Sequence, residues 1–254
     1  MNGRPESGAP TRAGRRAGAG LRELARNDPR QYDDLADQWW EPRGALAMLH
    51  WIARARGGSV PPATRAGAVL VDIGCGAGLL APHLSGKGYD HVGVDVCASA
   101  LALARSHGVR CARGDALALP VADGAADVVS AGEIFEHVVD LDRAVAEACR
   151  VLRPGGTLVV DTIASTPLAR LLAVTVAERL PGGAPRGIHD PALFVDRRRL
   201  VEQCARHGVE LHLRGLRPAL GALIAWRLGR RAEVPMVPTW STAVLFQGIG
   251  VKQR

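Results

Sequence analysis

Two rhythms of apolar and polar positions alternate along the chain. Short runs of β-branched and apolar residues fall near 68–73, 90–95, 109–113, 126–131 and 157–163. Between them, near 78–86, 97–107 and 140–152, apolar residues recur at helical spacing. Strands apolar on both faces and separated by helices predict an α/β fold, a doubly wound parallel sheet with helices on both faces. A helix at 196–207 and strands near 209–215 and 242–251 would close the sheet. Arg153-Pro154-Gly155-Gly156 stops the helix at 140–152 and predicts a tight turn into the fifth strand.

The flanking segments read differently. Residues 1–28 are polar, Gly-rich and Arg-rich, and are expected to be disordered. Asp33–Trp40 and Ala45–Arg56 read as two helices, and 57–67, with Pro61 and Pro62, as a linker, so 29–67 would cover the site of a core domain at 68–254. Ser165–Leu180 has Leu168, Leu171, Leu172, Val176 and Leu180 at helical spacing. It reads either as a core-packing helix or as a substrate-covering insertion, near 165–190, that touches lipid with Arg170 and Arg179 at the headgroups. Leu216–Pro238, apolar with arginines, could cap the active site.

The candidate chemistry begins in Val69–Gly78, Val-Leu-Val-Asp-Ile-Gly-Cys-Gly-Ala-Gly. A buried strand runs into a loop with glycine at 74, 76 and 78, which can turn sharply and bring bare backbone to a ligand. The helical pattern that follows gives the loop free amide donors. Asp72 stands where a carboxylate can face a cationic ligand but would repel a pyrophosphate. Asp95 ends the next strand, where a carboxylate can grip ribose hydroxyls. S-adenosylmethionine, with a ribose, an amino group and a sulfonium but no phosphate, suits Asp72, Gly74, Gly76 and Asp95. Here the chain resembles the seven-strand S-adenosylmethionine-dependent methyltransferases from about Tyr32 onward. That resemblance implies a Rossmann-like sheet of seven strands with an antiparallel C-terminal end. It also places Asp115, with Ala116 beside it, at the adenine amino group.

Composition adds bounds. The chain has 254 residues, 47% of them hydrophobic, and a mean hydropathy of +0.04, which fits one soluble domain with an extension. With no apolar run long enough for a span and no secretory pattern, the expected compartment is the cytoplasm. Five cysteines without framework or CxxC spacing read as reduced thiols. The net charge is +7, but the basic residues are dispersed and nearly all arginine. With no Asn-Pro-Pro-aromatic or Pro-Cys motif, nucleic acid is not the expected partner. A small-molecule acceptor is, and peripheral contact with an anionic inner-membrane surface stays open.

Methyl transfer is an in-line displacement in which positioning supplies much of the rate. A phenol, with a pKa near ~10, also needs a base or a metal. Glu133, Glu136 and His137 follow the fourth strand, at the edge where α/β sheets bind ligands. They would suit Mg²⁺ or another divalent metal, or they shape the pocket of a metal-free enzyme. His189-Asp190-Pro191 offers a base, His189, or simply a turn and helix cap. Trp39 and Trp40 read as an aromatic cover for a planar acceptor or as packing residues. Cys75 reads as a small packing residue in the loop.

The Asp37-Gln38-Trp39-Trp40 stretch, His50, the Glu133/Glu136/His137 cluster, the helix at 165–180 and Gly187-x-His189-Asp190 with Phe194 narrow the resemblance. In order and spacing they are similar to the ubiquinone-biosynthesis O-methyltransferases, which act on demethylubiquinol and polyprenylated dihydroxybenzenes. The resemblance implies that Arg56, Gly74, Asp95 and Gly132 contact S-adenosylmethionine. It implies a divalent metal at Glu133, Glu136 and His137, and a membrane-associating role for 165–180. Trp51 and Gly132 depart from its pattern. The expected activity is O-methylation of a phenol or catechol, with His137 and His189 as catalytic candidates. The alternative is a metal-independent C-, N- or O-methyltransferase of secondary metabolism.

Overall fold

The computed structural model describes residues 24–179 and 184–253, so the tail expected to be disordered lies outside the described residues as far as residue 23, as does Leu180. The chain opens with α1 (Arg30–Asp34) and α2 (Ala47–Ser59), then alternates β1 (Ala68–Ile73), α3 (Ala81–Leu84), β2 (Tyr89–Asp95), α4 (Ala98–Ser106), β3 (Arg110–Arg113), β4 (Ala126–Gly132), α5 (Leu141–Val151) and β5 (Leu152–Ile163). Past Ile163 come α6 (Pro167–Ala169), α7 (Arg197–Arg206), β6 (Val209–Pro218), α8 (Leu220–Arg227), β7 (Met236–Thr239) and β8 (Leu245–Lys252).

The sheet order is β3-β2-β1-β4-β5-β8-β6-β7. The first five strands are parallel and β8, β6 and β7 run antiparallel. This is the expected Rossmann-like α/β sheet with its antiparallel end, with eight strands rather than seven. The extra strand is β7, paired to the end of β6 through Gly215↔Thr239 to Pro218↔Met236, in a stretch expected only to cap the site. Pro238 does not break it, because β7 is an edge strand that needs no donor on its outer side.

Apolar residues of β1, β4 and β5, among them Val71, Val129, Leu158 and Val160, pack with Val145 and Cys149 of α5 and Phe135 in one core. Across the sheet Val60, Leu70, Leu80, Val128 and Val159 form a second cluster. Burial on both faces explains why these strands read as unbroken apolar runs. Pro154-Gly155-Gly156 does not precede β5 but lies within it, taken up where the β4–β5 register shifts between Ala126 and Val128.

Three expected helices differ. Within 33–40 the structure has only the end of α1 and a 3-10 turn at Ala36–Gln38. In 78–86 only Ala81–Leu84 is helical, because the glycine loop carries its turns up to Leu80. In 165–180, α6 passes into a π-helix at Arg170–Val176 and a 3-10 turn at Ala177–Arg179. The wider winding spreads Leu168, Leu171, Leu172 and Val176 over an exposed face. No helix among the described residues is long and apolar enough to cross a membrane.

The buried Asp127 ties the linker to the sheet. It accepts from Arg65 (2.9 and 2.6 Å), from Arg153 Nε (2.8 Å) and from the Val69 amide (2.8 Å). Burial would raise this carboxyl, but the Arg65, Val69 and Arg153 hydrogen bonds outweigh it and hold it below the usual range. Its stabilisation is therefore present above the unfolded pKa and is lost as pH falls through the folded one. Asp127→Ala should destabilise the chain by about 2 kcal/mol at neutral pH, mostly through the orphaned Val69 amide. Urea unfolding at several pH values should show that difference shrinking below pH ~4.

Candidate active site

The site is built at the carboxyl ends of β1, β2 and β4, where the strand order reverses around β1. Gly74, Gly76 and Gly78 hold positive φ (67°, 50° and 81°), which glycine adopts without strain. A Cβ on Gly76 would lie 2.6 Å from the Trp39 ring. Asp95 braces this loop: Oδ2 accepts from the Gly76 amide and Oδ1 from the Cys97 amide, both at 2.8 Å.

A cavity of about 800 Å³ opens over the loop. Its wall includes Gly74, Cys75, Gly76, Asp95, Asp115, Ala116, Gly132, Glu133, Arg56, His137 and His189, so these sequence-predicted residues converge on one space. Asp115 turns its chain by accepting from the Leu117 amide (2.9 Å) while still facing that space. Farther out the wall becomes apolar, with Leu172, Val176, Leu220, Leu223, Met236 and Leu245. Trp39 lines the cavity, stacked on Tyr32 with ring centroids 5.6 Å apart. Trp40 packs instead, stacked on His107 at 3.7 Å. Burial pushes the Cys75 thiol up, so it stays a protonated packing group.

Two expected site residues lie outside this wall. Asp72 does not face the ligand space; it is 2% exposed beneath the loop, 3.4 Å from His91 Nε2. Glu136 is fully buried and accepts from the Thr162 hydroxyl at 2.6 Å. The metal reading of Glu133, Glu136 and His137 is corrected accordingly. Glu136 Oε2 accepts from Thr162 while its Oε1 is buried without a partner, His137 Nδ1 faces Asn27, and the three do not form a group that could hold a metal ion. No trio of His, Cys, Asp or Glu among the described residues could hold a metal ion.

What gathers instead is negative charge around one guanidinium. Arg56 donates to Asp161 at 2.6 Å and fills the space beside Gly132, where a Cβ would lie 1.6 Å from its Nη1. The missing side chain at Gly132 is thus occupied by Arg56. Desolvation works against the Arg56 charge, but Asp161, Asp72 and Glu133 outweigh it and hold the guanidinium protonated. Burial pushes Asp161 up to about 6, with Arg56 opposing. Glu133, at φ 51°, leaves Oε1 buried without a partner. Burial, then the neighbouring Glu136 and Asp161, drive its carboxyl well above the usual range. Burial likewise raises Glu136 and Asp95. A strained backbone and an orphaned buried carboxylate mark a place that a cation would complete.

Sequence reasoning missed Asp161, Glu178 and Asn27. Asp161 carried one signal, a carboxylate closing the apolar run of β5. Glu178 is buried by tertiary contacts: it accepts from the Gly187 amide (3.0 Å) and lies 3.6 Å from His189 Nδ1. Asn27 sits in a stretch expected to be disordered, yet 24–28 pack onto the site, with the Asn27 amide donating to Gly187 O at 3.0 Å. Asp190 is the turn residue of its pair, accepting from the Ala192 amide (2.9 Å), whereas His189 faces the cavity.

Strand order, glycine loop, ribose-range carboxylate and a cation-seeking cavity define an S-adenosylmethionine-dependent methyltransferase. Residues 71–160 match the family model described as a methyltransferase domain. The chain is 36% identical over 189 residues to the ubiquinone biosynthesis O-methyltransferase of Methylococcus capsulatus, covering 71% of this chain and 80% of that one. With the enzyme of the same description from Thiobacillus denitrificans it shares 34% over 188 residues, 71% and 81% of the two chains. It belongs to the ubiquinone biosynthesis O-methyltransferase family, and it is an S-adenosylmethionine-dependent O-methyltransferase. The fold is shared with a Thermotoga maritima methyltransferase described as a possible histamine N-methyltransferase (TM-score 0.62, 19% identity, 88% of this chain and 97% of that one).

Binding a cationic cofactor favours ionised carboxylates, so it should release protons from the raised Asp95, Glu133 and Glu136. Calorimetry should therefore show affinity for S-adenosylmethionine weakening as pH falls below neutral. Glu133→Gln should bind it roughly tenfold more weakly at pH 8 and show a flatter pH dependence. Equal affinity for Glu133→Gln and the parent chain would remove Glu133 from the cofactor site.

Proposed function

We propose that the chain methylates a hydroxyl of a phenolic small molecule, of the catechol type, that carries an apolar substituent. The observation behind this reading is the cavity itself. Its wall joins the glycine loop, the two imidazoles of His137 and His189, and a set of apolar side chains that includes Leu172, Leu220 and Met236.

His137 and His189 stack with ring centroids 5.7 Å apart. Burial first, and then His189, push His137 down to about 3, so it stays neutral, with one ring nitrogen free to accept a hydrogen bond. Glu178 stands behind His189 Nδ1, leaving Nε2 for the ligand. In this reading His137 orients the acceptor and His189 removes the proton of the reacting hydroxyl. Bound S-adenosylmethionine would supply the methyl group to that oxygen, its sulfur departing as the thioether, while the proton stays on His189 against the Glu178 carboxylate. No metal enters these steps.

The apolar end of the cavity opens between two exposed faces. Leu168, Leu171, Leu172 and Val176 form one; Leu220, Ile224 and Leu228, spaced four apart along α8, form the other, and Trp240 is fully exposed beyond them. Arg170 and Arg179 flank the first face. These faces support peripheral contact with anionic lipid, from which a prenylated acceptor would enter.

Purified protein should transfer one methyl group to a simple catechol, with undiminished turnover in chelator, and leave amine acceptors unchanged. His189→Gln should lower kcat roughly 10²-fold while binding S-adenosylmethionine normally. Amine methylation without catechol turnover would overturn this reading. Leu171→Glu combined with Ile224→Glu should abolish co-sedimentation with anionic vesicles without changing cofactor affinity; wild-type protein that ignores such vesicles would remove the membrane contact.

A further inference from the structure

The described chain begins with a short segment that contacts the His137 ring and the backbone at His189. Arg26 donates to His189 O (2.8 Å), and Gln31 Nε2 donates to Gly187 O (3.2 Å). Asn27 adopts φ 61°, a conformation asparagine tolerates better than other residues with a side chain. That backbone turn aims its carboxamide at His137. Nδ2 donates to His137 O at 2.9 Å, and Oδ1 lies 2.5 Å from His137 Nδ1.

These contacts fix a proton. The His137 carbonyl can only accept, so the side facing it must be the NH₂ group of Asn27. A flipped amide would set two acceptor oxygens against each other. With the amide pinned, Oδ1 faces the ring, and an oxygen that can only accept requires hydrogen on Nδ1. In a neutral ring Nε2 then carries the lone pair. The Tyr32 hydroxyl, 3.5 Å from Nε2 and held protonated by burial and nearby carboxylates, agrees with that assignment, donating to the lone pair until an acceptor hydroxyl takes its place.

The geometry points to Asn27 as a positioning residue: it locks His137 as the Nδ1–H tautomer, so that Nε2 presents its lone pair to a hydroxyl of the acceptor. The inference rests on reading His137 as the group that orients the acceptor. It extends that reading to a residue outside the catalytic sheet, at the cavity wall. Without Asn27, the ring would return to a mixture in which Nε2–H predominates. That hydrogen would point at the hydroxyl's own hydrogen instead of accepting it.

The test is a long-range ¹H–¹⁵N spectrum of the His137 ring in the full chain, assigned by its disappearance in His137→Gln. The parent chain should show Nδ1–H with an unprotonated Nε2. Asn27→Asp keeps an acceptor oxygen and should keep that tautomer. Asn27→Gly keeps the positive φ but loses the carboxamide. It should lose the Nδ1–H tautomer and lower kcat for catechol about 10²-fold, with affinity for S-adenosylmethionine unchanged. A parent spectrum showing Nε2–H overturns the inference, whether or not the glycine variant folds. So does a glycine variant that folds and keeps either the tautomer or the kcat. The spectrum needs no acceptor, so failure of the phenol reading and failure of the tautomer lock register separately.

Discussion

Five carboxyl groups, of Asp72, Asp95, Glu133, Glu136 and Asp161, crowd the carboxyl edge of the central strands, with the Arg56 guanidinium buried among them. Burying so much potential negative charge is costly unless it is paired or protonated. The chain offsets part of that cost internally. Asp72 has His91, Asp161 has Arg56, and Glu136 has the Thr162 hydroxyl. Glu133 keeps an oxygen without a partner, in a backbone conformation that costs energy to hold. A sulfonium-bearing cofactor completes such an arrangement, whereas a pyrophosphate would be repelled by it. The raised carboxyl groups also link cofactor binding to proton release.

The second organising feature is the way the N-terminal segment reaches across the sheet. Trp39 sits against the glycine loop, Tyr32 stacks on Trp39, Asn27 holds the His137 ring, and Arg26 donates to the His189 main-chain oxygen. One stretch of chain thus covers the cofactor loop and sets the hydrogen-bonding face of His137. Reaction geometry depends on residues far from the catalytic loop in sequence but adjacent in space.

Much of the core was legible in advance because its signals are local. The strands at 68–73, 90–95 and 126–131 stand close to where their apolar runs placed them. The glycines turn where positive φ is needed, and Asp95 braces the loop they form. Arg56 and Gly132, which the resemblance places at the cofactor, both line the cavity, and the guanidinium takes the room of a side chain at 132. The metal cluster read from Glu133, Glu136 and His137 failed because closeness in sequence was taken for convergence in space. A turn separates the three, and each faces different neighbours.

By itself the sequence determined the sheet and the glycine loop, since strand periodicity and glycine positions act within a few residues of themselves. Tertiary structure alone decided which carboxylates face the cavity and which are spent on neighbours such as His91 and Thr162. It also decided that Glu178 would back His189, that residues 236–239 would pair as an edge strand, and that Asn27 would reach His137. Of these, the Asn27–His137 contact joins segments more than a hundred residues apart, and no local pattern encodes the direction in which a side chain finds its partner.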